Sequence, residues 1–141
     1  MRRLGLIMAG LALPLVLVAC GSDDDAASGD AGVVSATQKD FQIDLDKDST
    51  TAGKVTFEVH NEGPSTHEFV VVKTDLAADA LPLDDEGNVD QAAVDPIDEL
   101  EDIAAGDNPK LDVDLEAGTY VVFCNLPTHY GKGMHAAITV T

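Results

Sequence analysis

Thr119-Tyr120-Val121-Val122-Phe123-Cys124-Asn125-Leu126-Pro127-Thr128-His129-Tyr130-Gly131-Lys132-Gly133-Met134 changes character at its sixth residue. The run from Thr119 to Phe123 is β-branched and aromatic, the composition of a strand that packs on a pleated surface. From Asn125 onward, Pro127, Gly131 and Gly133 favour a loop. Residues 136–141 form another β-type run, so the loop joins two strands. On it, Cys124, His129 and Met134 stand five residues apart each.

Outward from this segment the chain reads as short strands separated by turns. Phe41-Gln42-Ile43-Asp44-Leu45 and Val55-Thr56-Phe57-Glu58-Val59 alternate apolar and polar residues, as half-buried strands do. Asn61-Glu62-Gly63-Pro64-Ser65 is turn chemistry. Residues 67–73 form a further strand with His67, Phe69 and Val71 on one face. Leu111, Val113 and Leu115 alternate again, and Ala117-Gly118 turns into the strand quoted above. Several short strands at this spacing predict an all-β, Greek-key β-sandwich. Between Asp75 and Asp107 stand twelve acidic residues and no basic ones, broken by Pro82 and Pro96. This stretch is expected to be a long acidic surface insertion holding a helical turn or two. Asp84, Glu86, Asn88 and Asp90 alternate like calcium ligands, but Val89 stands where an EF-hand loop needs glycine.

A thiolate, an imidazole and a thioether on one loop suit copper, because soft sulfur favours Cu(I) and imidazole suits Cu(II). His67 can complete a His₂Cys set with a weak axial Met. Zinc gains little from a Met ligand and has no redox chemistry to use there. His135 follows Met134 directly and points to the opposite face on an extended backbone, and His60 ends a strand; neither is expected to bind the metal.

On these residues the chain resembles the type 1 (blue) copper proteins, the cupredoxins of the plastocyanin and azurin kind. The resemblance covers roughly residues 34–141. It rests on Asn61-Glu62-Gly63-Pro64-Ser65-Thr66-His67-Glu68-Phe69 and on the Cys-x₄-His-x₄-Met loop with its closing strand. It implies one type 1 copper per chain, with His67, Cys124 and His129 as the strong ligands and Met134 as the axial contact. Many relatives carry Asn directly after the first His, where it ties the two ligand loops together. Here that residue is Glu68, and Asn61 or Asn125 is left as a candidate for the role.

The N-terminal residues read as an address. Arg2 and Arg3 precede an apolar stretch of sixteen residues, Leu4 to Ala19. That is shorter than the roughly 20 residues a spanning helix needs. Leu17-Val18-Ala19-Cys20 resembles a bacterial lipobox, which implies a signal peptide over 1–19 and a lipid on Cys20. Residues 20–33 are small and acidic and are expected to be a disordered tether, leaving 34–141 as the copper-binding domain. Without Arg2 and Arg3, six Lys face 26 acids, a net charge of −20. Such a surface repels nucleic acid and attracts a basic protein. With Cys20 lipidated, Cys124 has no disulfide partner, and metal ligation would protect its thiol.

These features predict a membrane-anchored electron carrier on the extracytoplasmic face, a monomer serving a basic redox partner such as a cytochrome or oxidase subunit. Electrons are expected to leave at His129, with Leu126, Pro127 and Tyr130 as an apolar docking patch. Copper storage or delivery is the alternative, but one Met beyond the signal is a poor match for Met-rich handover sites. Copper oxidases and nitrite reductases need further His-rich centres, which four His cannot build within this chain, so an enzyme is not expected.

Overall fold

The computed structural model describes residues 30–141. The signal peptide over 1–19, the lipidation site Cys20 and most of the tether lie outside these residues. In chain order the elements are β1 (Asp30–Lys39), β2 (Gln42–Leu45), β3 (Ser49–Thr50), β4 (Gly53–Asn61), β5 (His67–Lys73), α1 (Gln91–Val94), β6 (Pro96–Ile103), β7 (Lys110–Leu115), β8 (Gly118–Phe123) and β9 (His135–Val140). A 3₁₀ turn, Tyr130–Lys132, interrupts the loop between β8 and β9. The strands form a four-stranded sheet in the order β2-β1-β4-β7 and a five-stranded sheet in the order β3-β9-β8-β5-β6. Most neighbours are antiparallel, but β1 runs parallel to β4 and β3 parallel to β9. The chain crosses repeatedly between the two sheets, which gives the Greek-key sandwich that the alternating strands predict.

The core follows from that alternation. Val55, Phe57 and Val59 on β4 and Leu111, Val113 and Leu115 on β7 face Phe69 and Val71 on β5, Tyr120 and Val122 on β8, and Ile138 and Val140 on β9. Phe57 and Phe69 meet across the sandwich with ring centroids 5.3 Å apart. The strands β5 and β8 do not alternate, and the reason lies on their other face. Val70, Val72, Val121 and Phe123 pack outward against Leu81, Val89 and Tyr130, so both faces of these strands are buried and both are continuously apolar.

The segment 75–107 is therefore more ordered than a surface excursion. Its first part lies over the outer face of the five-stranded sheet and buries Leu81 and Val89, with a short bridge between Leu83 and Val89. It holds the expected helical turn in α1. Its second part is β6, an edge strand paired with β5 that acidic composition concealed. Asp98, Glu99, Glu101 and Asp102 are exposed there, while Ile103 is buried and Leu100 packs against the core. Pro96 opens β6 rather than breaking it, as an edge position allows.

The other correction is at the start of the domain. Strand β1 begins at Asp30, so residues 30–33, assigned to the tether, pair with β4. The run from Val34 to Gln38 contains Ser, Thr and Gln and reads as weakly apolar. Its inward positions are nonetheless Val34, Ala36 and Gln38, all fully buried.

Candidate metal centre

The site forms at the pole of the sandwich where β5 begins and β8 ends. His67 is the first residue of β5, facing the core like Phe69 and Val71, and it is fully buried. The turn before it is tied by Asn61, whose side-chain amide donates to the carbonyls of Ser65 and Ile103, both at 2.8 Å. Gly63 N–H donates to Asn61 Oδ1 at 3.0 Å. Cys124 follows β8 directly and is a buried free thiol.

The ligand loop is stapled by its own backbone. Cys124 N–H donates to Met134 O at 3.1 Å, and Met134 N–H donates to His129 O at 3.2 Å. Gly133, at φ 105°, reverses the chain after the 3₁₀ turn, a left-handed conformation that glycine adopts without steric cost. These bonds hold Cys124, His129 and Met134 in one compact turn, and Met134 is fully buried in the same core cluster as Cys124.

The donors converge across the 57 residues that separate His67 from Cys124. One donor atom each from His67, Cys124 and His129 lie within 4.8 Å of one another. His67 Nδ1 is 3.3 Å from His129 Nδ1, and His129 Nδ1 is 3.4 Å from Cys124 Sγ. Both imidazoles thus turn Nδ1 into the donor group, and that of His129 meets the sulfur. Two backbone amides also point at it: Glu68 N–H, at 3.3 Å from Sγ, and Leu126 N–H. Burial pushes the Cys124 thiol up, against the pull of those two amides, and pushes both His67 and His129 down. At neutral pH these shifts favour a protonated thiol and neutral imidazoles, so a metal bound through the sulfur displaces the thiol proton. Soft sulfur, two imidazoles and a nearby buried thioether residue fit copper.

Glu68 takes the loop-tying part that the sequence left open. Its backbone N–H reaches the Cys124 sulfur, and its carboxylate accepts from Asn125 N–H, so one residue joins both ligand segments. Burial, then Glu99 and Glu101, raise the Glu68 carboxyl above the usual range. Asn125 does a different job. Its amide pairs with Val89, accepting from N–H at 2.8 Å and donating to O at 3.0 Å, which fastens the acidic segment to the ligand loop.

Tyr130 fastens the same segment a second time and is not a surface ring. Only 5% exposed, it accepts from Leu81 N–H at 3.0 Å and donates to Ala78 O at 2.7 Å through its hydroxyl. Tyr130→Phe strands the buried Leu81 N–H and is expected to cost about 1–3 kcal/mol of stability, read by denaturant unfolding. The aromatic neighbour of His129 is instead Phe41, edge to face at 5.0 Å, with the Lys132 ammonium 3.9 Å above the Phe41 ring. Neither His60, which meets Asn108, nor His135, which packs on Tyr130, joins the donor group.

A buried cysteine between two inward-turned histidines, at one pole of a Greek-key sandwich, defines the cupredoxins, the small type 1 copper proteins. Residues 27–141 match the copper binding proteins of the plastocyanin/azurin family. The chain belongs to that family, and copper is its cofactor. Its fold is similar to that of auracyanin from the photosynthetic bacterium Roseiflexus castenholzii, with a TM-score of 0.55 and 20% identity over 80% of this chain and 98% of that one. Auracyanin A, a "blue" copper protein from the green thermophilic photosynthetic bacterium Chloroflexus aurantiacus, gives 0.50 and 22% over 78% of this chain and all of that one. Rusticyanin from Thiobacillus ferrooxidans gives 0.50 and 18% over 77% of each. By sequence alone the chain matches no curated protein.

Proposed function

We propose that this chain is a membrane-anchored, extracytoplasmic carrier of single electrons, with His67, Cys124 and His129 as strong copper ligands and Met134 as the weak axial one. The observation that carries the reading is the convergence of one donor atom each from His67, Cys124 and His129 to within 4.8 Å of one another. Copper held there supplies one-electron chemistry by cycling between Cu(I) and Cu(II). The chain's part is to keep the donors in place through both states. Burial, the stapled loop and the two amides on the sulfur support a fixed donor set. A delivery site needs exchangeable ligands, and fully buried Cys124 and His67 favour carriage over handover.

The anchor rests on the lipobox at Leu17-Val18-Ala19-Cys20. His129, the least buried of the three convergent ligands, is the exit for the electron. The docking patch around it is Leu126, Pro127 and Phe41, since Tyr130 is buried beneath the acidic segment. Charge steers a basic partner toward the protein, and the less polar loop makes the final contact. Between Asn125 and Met134 there is no acid and one base, Lys132.

Screening at about 0.15 M salt acts over roughly 8 Å, so the rate of electron transfer to a basic acceptor is expected to fall as salt rises. Leu126→Asp is expected to slow transfer further with copper affinity nearly unchanged. Stopped-flow oxidation of the reduced protein at several salt concentrations reads both effects. Rates indifferent to salt and to the charge at Leu126 would move the exit elsewhere.

A further inference from the structure

We propose that Asp40 is a positioning residue for His67, an outer carboxylate that holds the ring and lowers the reduction potential of the copper site. The inference rests on His67 being a ligand. Its Nδ1 faces His129 Nδ1 within the donor group, so when Nδ1 serves as donor the ring proton must sit on Nε2. Nε2 is buried with no aligned hydrogen-bond partner. Asp40 Oδ1 lies 3.1 Å from it, off the line of the N–H. Among the described residues, Asp40 is the acid paired with this ring, and its Oδ1 is the acceptor within reach of an Nε2–H.

The carboxylate is itself held in place. Ser65 Oγ–H donates to Asp40 Oδ2 at 2.6 Å, leaving Oδ1 for the histidine. Gly63 closes the third side. A Cβ there would lie 2.9 Å from Asp40 Oδ1 and 3.1 Å from His67 Nε2, so a side chain at this position would drive the pair apart. A turn residue and a carboxylate thus close on one nitrogen of His67, and a hydroxyl holds the carboxylate from its other oxygen. Carboxylates placed behind metal-bound histidines fix the tautomer and raise ligand basicity. A negative charge beside the site also stabilises the more highly charged Cu(II) over Cu(I).

The test is the reduction potential of the copper-loaded chain in wild type, Asp40→Asn, Asp40→Ala and Ser65→Ala. Asn keeps the size and can still accept from Nε2–H, so Asp40→Asn isolates the charge. It is expected to weaken Cu(II) relative to Cu(I) about tenfold. That raises the potential by about 59 mV for one electron, with the visible thiolate band retained. Asp40→Ala also removes the acceptor and is expected to raise the potential further. Ser65→Ala loosens the carboxylate and gives a smaller rise, which keeps the test open if substitution at Asp40 prevents folding. An unchanged or lowered potential in Asp40→Asn, or in Ser65→Ala where the Asp40 variants do not fold, overturns the proposal. A wild-type chain that shows no thiolate band on copper loading overturns the ligand assignment instead.

Discussion

Cys124→Ser is expected to leave the copper-loaded protein colourless, and Met134→Leu to leave it coloured with a raised potential. The visible band of a type 1 site is charge transfer from the thiolate, and Cys124 is the free thiol among the described residues. Serine cannot replace it, because its hydroxyl stays protonated and is a hard donor. The two amides aimed at the sulfur, from Glu68 and Leu126, would then face a neutral oxygen in a buried pocket. Met134 acts differently. An axial thioether is a weak ligand that tunes the potential rather than retaining the metal. Leucine matches its volume in the core, so the His₂Cys set should survive. Absorbance during copper titration, followed by a redox titration of each variant, separates the roles. Equal loss of copper in both variants would contradict them.

Phe57→Ala is expected to destabilise the domain by about 3–5 kcal/mol, a large share of the 5–15 kcal/mol that holds a typical domain together. Phe57 is fully buried and stands on β4, where its ring meets that of Phe69 across the sandwich at 5.3 Å. Truncation leaves a cavity between two sheets whose backbones are fixed by their ladders and cannot close over it. Phe57 is not part of the donor group, so the loss should be the same with and without copper. Urea unfolding of the apo and copper-loaded forms measures both. A much larger loss in the copper-loaded form would mean that Phe57 supports the ligands as well as the core.

The cluster of His67, Cys124 and His129 was legible in the sequence because each residue carries its own signal. Cys124, His129 and Met134 share one loop, and His67 opens a continuously apolar β-branched run that reads as a strand. Strands β4 and β7 were legible from their period-two alternation and β8 from its β-branched and aromatic composition. Strand β6 was not, because Asp98, Glu99, Glu101 and Asp102 occupy solvent-facing positions at a sheet edge and only Leu100 and Ile103 face the core. Strand β1 was missed because its inward set, Val34, Ala36 and Gln38, includes a small and a polar residue. Gln38 is tolerated at full burial because its amide donates to Glu68 O at 2.7 Å, a partner 30 residues away that no local pattern displays. Tyr130 was misread as a docking ring for a similar reason. Its hydrogen-bond partners, Leu81 and Ala78, lie about fifty positions upstream. The part played by Asp40 and Gly63 is equally non-local, since it requires the turn after β1 to pack against the start of β5.

Strand β1 has a geometric consequence for how the molecule can be held. Its far end, near Gln38, reaches the ligand shell through Glu68, whereas Asp30 pairs with Lys54 at the opposite end of β4. Nine steps of about 3.3 Å separate Asp30 from Lys39, so the polypeptide enters the fold about 30 Å from the copper pole. A group attached at residue 30 itself therefore sits at the pole opposite His129. Immobilised by that end, the protein would stand with its redox face outward, a natural orientation for wiring it to an electrode.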